Sequence, residues 1–163
     1  MIRECTSLKE IDVSHFDTRK SEYLSTMFYN CHTLTSLDIS NFNFSSTTTI
    51  MQMFYNCTNL SNLNIQKVKS EKLTSMNEMF AYCKSLTSLD LTGFDTSTVS
   101  KMDNMFSNSG LQYLDLSTFD TRKCKITTLN SMFNNCKGLK IKVNRELWPN
   151  IDKVLPIYVT IIE

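Results

Sequence analysis

The six cysteines of this 163-residue chain are its best candidates for chemistry. Five of them, Cys5, Cys31, Cys57, Cys83 and Cys136, are separated by 26, 26, 26 and 53 residues. Metal sites draw on Cys or His pairs only a few residues apart, and these five offer none. Disulfides would need neighbouring copies to lie side by side. Ser109 stands where the missing cysteine of the series would be, so Cys136 has no adjacent partner. The row is therefore expected to be small buried packing residues. Cys124 stands apart, between Arg122, Lys123 and Lys125. Those cations would favour a thiolate on an exposed loop, which makes Cys124 the candidate reactive thiol.

Carboxylates recur as well. Asp12, Asp38, Asp90 and Asp115 hold one place in a repeating pattern, with Asn64 in the same place. Residues that recur with a repeat are usually structural. His15 and His32 have no matching series. No phosphate loop, nucleophile elbow or HExxH string is present. The expectation is a protein without catalysis, metal or cofactor. Asn43, Asn56 and Asn59 head glycosylation triplets, which carry little weight in a chain so rich in Asn, Ser and Thr.

The elements that hold these residues follow from the repeat. Met-Phe-x-Asn-Cys and its variants begin at residues 27, 53, 79, 105 and 132, so successive starts differ by 26, 26, 26 and 27. Met1 to Cys5 is a degenerate copy. Segments of the form LxxLDLS follow at Leu8–Ser14, Leu34–Ser40, Leu60–Gln66, Leu86–Thr92 and Leu111–Ser117. Each precedes a large apolar residue: Phe16, Phe42, Val68, Phe94 or Phe119. The fifth unit loses one residue after Ser109 and gains two near Arg122–Lys125, where a bulging loop is expected.

Apolar and polar residues alternate at the end of LxxLDLS, the pattern of a short strand. Spacings of three and four through Val99, Met102, Met105 and Phe106 predict a helical turn or two, with Asp95, Thr96 or Ser97 as N-cap. One strand and one helical arm per unit predict an α/β leucine-rich-repeat solenoid of about six 26-residue coils. Short parallel strands would form one face and short helical arms the other.

Residues 1–143 would form the solenoid and 144–163 a C-terminal cap, with Trp148 packed on the last coil. Lys140–Val143 would be the last strand, and Ile157–Ile162 is strand-forming. The strand polar positions should make two outward columns, Glu10, Ser36, Asn62, Ser88, Tyr113 and Asp12, Asp38, Asn64, Asp90, Asp115. These are the candidate partner-binding residues, because repeat proteins commonly bind through such a face. Each Asp is equally suited to accept hydrogen bonds from backbone N–H groups of its own turn. Arg19, Lys20, Lys67, Lys69, Lys72, Arg122, Lys123 and Lys125 should line one rim.

The string LxxLDLSxFDT…VxxMxxMFxNC resembles the BspA-like leucine-rich-repeat surface proteins over about residues 1–143. That resemblance implies a right-handed solenoid, exported or anchored at a cell surface, that binds protein or glycan partners in adhesion. The N-terminal residues lack the apolar core of a signal peptide. The chain is therefore expected to be a piece of a longer surface protein, or an intracellular interaction scaffold.

Composition narrows the classes further. Apolar residues are 41% and charged residues 20%, enough apolar content for a core. A net charge of +1 provides no field for nucleic acid or an anionic membrane. No apolar run reaches the length of a membrane span. The first coil, Leu8–Phe16, has nothing stacked before it, so a structural or assembly unit that docks or self-associates through that coil is the alternative reading.

Overall fold

The computed structural model describes residues 2–65 and 68–162. Met1, Gln66, Lys67 and Glu163 fall outside it. The start of the degenerate first copy, the end of the third LxxLDLS segment, one rim lysine and the last cap residue thus lie outside the described residues.

Among the described residues, five short strands and two one-turn helices make up the regular structure. They run β1 (Ser36–Asp38), β2 (Asn62–Asn64), β3 (Tyr113–Leu116), α1 (Ile126–Leu129), β4 (Lys140–Val143), α2 (Ile151–Val154) and β5 (Thr160–Ile161). All strand pairs are parallel. β1 pairs with β2, and β3, β4 and β5 form a second sheet in that order. Ser36 faces Asn62 and Asp38 faces Asn64, so equivalent repeat positions are in register. Among the described residues the strands close no barrel.

Of the helical arms expected around the Met-Phe pairs, only the one before Met132 forms, as the single turn α1; in the earlier units none does. The backbone there runs as a string of turns, and its hydrogen bonds explain why. In the unit from Ile50 to Cys57, the N–H groups of Ile50, Gln52, Phe54 and Asn56 donate forward to carbonyls of Ser75, Asn77, Met79 and Ala81, at 2.8–3.1 Å. The N–H groups of Met53, Tyr55 and Cys57 close local turns on Ile50, Gln52 and Phe54. The carbonyls of Thr49, Met51, Met53 and Tyr55 accept from Leu24, Thr26, Phe28 and Asn30 of the unit before. Every second N–H therefore points along the stack. An α-helix would spend all of its N–H groups internally and leave none to join the units. Turns closed every three residues place apolar side chains at the same spacing a helix would, which is why the pattern read as helical.

This path needs left-handed backbone at regular points. Thr26, Asn30, Gln52, Asn56, Glu78, Tyr82, Asn104, Asn108 and Asn135 all have φ between 53° and 63°. Asn tolerates that region better than most residues, and this accounts for the Asn of the Met-Phe-x-Asn-Cys motif.

Inside the stack the phenylalanines form a file. Ring centroids of Phe28, Phe54, Phe80, Phe106 and Phe133 follow one another at 5.6, 5.6, 5.8 and 5.9 Å, with their planes nearly parallel. Trp148 continues the file at 6.4 Å from Phe133, and its indole N–H donates to the Leu116 carbonyl. Hydroxyls add rungs at the sides. Thr47 donates to the Ser21 carbonyl, Thr74 to Thr48 and Thr98 to Leu73, each about one unit back. The many Ser and Thr residues thus satisfy carbonyls that would otherwise lose their solvent.

The strand ladder is not continuous. Leu8–Ser14 and Leu86–Thr92 carry strand-like sequence yet form no strand. Next to Ser109 the backbone passes close to that of the preceding unit. A Cβ on Gly110 would lie 2.0 Å from the Lys84 carbonyl oxygen, so only glycine fits. The loop expected to bulge at Arg122–Lys125 leads directly into α1. In the last segment, β5 covers only Thr160–Ile161, and Ile157 projects fully into solvent.

The strand-face cleft

The sheet break sets the geometry of the candidate site. Between β2 and β3 the unpaired segment Ser88–Thr92 borders a cleft of about 450 Å³. Asn62, Ser88, Asp90, Tyr113 and Asp115 line it, over a floor that includes Leu63, Leu89 and Leu91. Five of the ten candidate strand-face residues are thereby brought together. Glu10, Asp12, Ser36 and Asp38 line a separate cleft on the same side, in the first two units. Asn64 belongs to neither; its side-chain amide donates to Asp38 Oδ2 at 3.1 Å.

Each aspartate has a structural task. Oδ1 of Asp12, Asp38, Asp90 and Asp115 accepts the backbone N–H two residues on, at 2.8–3.0 Å. These bonds stabilise the charged form. Thr92 holds the Asp90 carboxyl below its usual range, against burial and the nearby Asp115 charge. Ser117 does the same for Asp115, with help from the Lys142 charge. Both are therefore ionised near neutrality. Their Oδ2 atoms meet no donor among the described residues.

The register adds two residues that the columns did not include. Lys140 faces Tyr113 and Lys142 faces Asp115 across β3 and β4. The signal was present in Lys-Ile-Lys-Val, whose lysines continue the two outward columns. Tyr113 is 43% exposed and is the one aromatic ring at the cleft.

The rim is less basic than its sequence suggests. Asp17 forms a forked ion pair with Arg19, and Asp120 with Arg122. Arg19 holds the Asp17 carboxyl down at about 2. The segregation of acid on the strand face from base on the rim is correspondingly weakened.

Cys124 departs from expectation. It is 8% exposed, and its thiol lies against the Val99 carbonyl. Burial, then the charges of Asp120 and Asp103, push it up to about 11. The flanking cations point outward while the sulfur turns in, so no activated thiolate arises. The other thiols are also free. Cys57 and Cys83 donate to the carbonyls of Phe28 and Phe54 at 3.1 Å, and Cys136 to that of Phe106 at 3.0 Å. Cys31 donates likewise to Ile2. Burial pushes Cys83 up to about 12.

Among the described residues no His, Cys, Asp or Glu group could hold a metal, and no helix is long and apolar enough to cross a membrane.

The recurrent turns, in-register parallel strands and phenylalanine file define a repeat protein. The chain belongs to the family described as "Mycoplasma protein of unknown function, DUF285", whose model matches residues 1–63 and again 24–148. No curated protein and no solved structure matches the chain.

Proposed function

We propose that the chain is a non-enzymatic binding module, a leucine-rich-repeat solenoid of the BspA-like kind with residues 144–163 as its cap. It holds a protein or glycan partner on its strand face, as part of a cell-surface or secreted protein. The observation that carries the reading is the cleft between β2 and β3, where four strand-column residues share the lining with the exposed ring of Tyr113. A rigid stack presents such a surface without an ordering cost at binding.

The test is capture of surface proteins and oligosaccharides on arrays. Three forms are compared: the native chain, a strand-face variant (Asp12→Ala, Asp38→Ala, Asp90→Ala, Tyr113→Ala, Asp115→Ala) and a rim variant (Arg19→Ser, Lys123→Ser). Loss of captured partners in the strand-face variant alone supports the reading. Loss in the rim variant alone overturns it.

A second reading is a structural unit that assembles through its first coil. Tyr23, 72% exposed, and Phe16, 38% exposed, favour it. Light scattering across a hundredfold concentration range distinguishes it: a constant monomer mass removes self-assembly, and a mass that rises with concentration supports it. The free thiols suit an intracellular scaffold, a reading that a signal peptide in the full-length gene would remove.

A further inference from the structure

We propose that the cleft between β2 and β3 is a subsite for a neutral oligosaccharide, with a hexopyranose ring lying on Tyr113 and its hydroxyls donating to Asp90 and Asp115. The inference rests on the binding-module reading and names the partner chemistry of that site.

Four observations select a sugar. First, the exposed Tyr113 ring stands beside an apolar floor, so the cleft offers a flat platform to the C–H face of a pyranose. Second, Asp90 and Asp115 each spend Oδ1 on their own turn, and their Oδ2 atoms meet no donor among the described residues. Two fixed acceptors, already aligned by backbone bonds, suit vicinal hydroxyls better than a single point charge. Third, the charge at the cleft is acidic. Asp90 and Asp115 are the charged residues that line the cleft, and the nearest described cation in register, Lys142, faces Asp115 from β4 without forming an ion pair. An anionic ligand would be repelled by these carboxylates, whereas a neutral hydroxylated one donates to them, and tetralysine tests the cationic alternative. Fourth, the volume of about 450 Å³ falls within the range of roughly 300–1,000 Å³ common for small-ligand clefts.

The other clefts lack this combination. The one at Asp12 and Asp38 has carboxylates but no ring. The one at Lys69, Lys72 and Asp95 on the rim also has no ring.

The experiment is an amide chemical-shift titration of the chain with cellotriose, maltotriose and chitotriose, and separately with tetralysine. The expected result is saturable shifts in residues 62–64, 88–92 and 113–116 with at least one trisaccharide. Tyr113→Ala should weaken that sugar about tenfold, which is about 1.4 kcal/mol. Asp90→Asn and Asp115→Asn should each weaken it several-fold. Affinity should change less than twofold in about 0.5 M salt, because the ligand carries no charge to screen. Three results would overturn the proposal: no shifts at about 10 mM of any of the three sugars, shifts with tetralysine alone, or unchanged affinity in all three variants. Should the arrays still capture proteins through the strand face, the sugar assignment falls while the binding module stands. A native chain that captures nothing through the strand face removes both.

Discussion

Asn56 donates its side-chain amide to Asn30 Oδ1 across 3.0 Å, and both residues sit in left-handed backbone at φ 58°. Asn135 and Asn108 repeat the contact at 2.9 Å. One residue type therefore serves two ends, relieving the turn and linking the units. The ladder breaks at Tyr82, which instead packs edge-on against Tyr55.

Thr26 occupies a left-handed position with a β-branched side chain and φ 57°. Such a residue bears strain of roughly 1–2 kcal/mol. Thr26→Asn should stabilise the fold by about 1 kcal/mol, read as a higher urea midpoint at unchanged slope. A lower midpoint would contradict the account of the turns.

Phe80 lies in the middle of the ring file, fully buried between Phe54 and Phe106. Phe80→Ala should cost about 3–5 kcal/mol. Gly110→Ala should also destabilise, by about 1–3 kcal/mol, because its Cβ would meet backbone rather than a side chain that can move. Equilibrium unfolding measures both, and a neutral Gly110→Ala would mean the fourth and fifth units lie further apart.

Thiol labelling at pH 8 tests the cysteine row. Cys5 is the one partly exposed thiol, and the other five are buried. One thiol should react quickly with a disulfide reagent in the native state, and all six on unfolding. Rapid labelling of Cys124 would contradict its burial.

Acid should weaken the fold. Asp12, Asp38, Asp90, Asp95, Asp115 and Asp120 are all held below the usual carboxylate range, chiefly by hydrogen bonds from the residue two places on. A depressed folded-state pKa stabilises above the unfolded value of about 3.9 and loses that contribution as pH falls through the folded value. For Asp17 the loss extends to about pH 2. Melting temperature should hold steady from pH 7 to about pH 5 and decline below about pH 4. A flat profile to pH 2 would contradict the role of these carboxylates.

The repeat was legible because equivalent residues must meet across every unit boundary. Phe28, Phe54, Phe80, Phe106 and Phe133 could keep one place in the sequence only by sharing one place in the fold. The arms before α1 were misread because three-residue turns imitate helical spacing. The Asn of the motif marked the left-handed points, but one unit alone cannot separate that role from surface polarity. The break at Ser88–Thr92 was not legible. Its residues alternate as those of β1 and β3 do, so the sequence carries no mark of the break. The inward turn of Cys124 was hidden for a similar reason, since its flanking cations say nothing of where the sulfur points.

The most direct test of strand-face binding is amide hydrogen exchange on the chain with a captured partner bound. The account predicts added protection in residues 87–92 and 112–116, with the arm residues 24–31 and 50–57 unchanged. Protection confined to the rim at 17–22 and 120–125, or to the first coil, would contradict it.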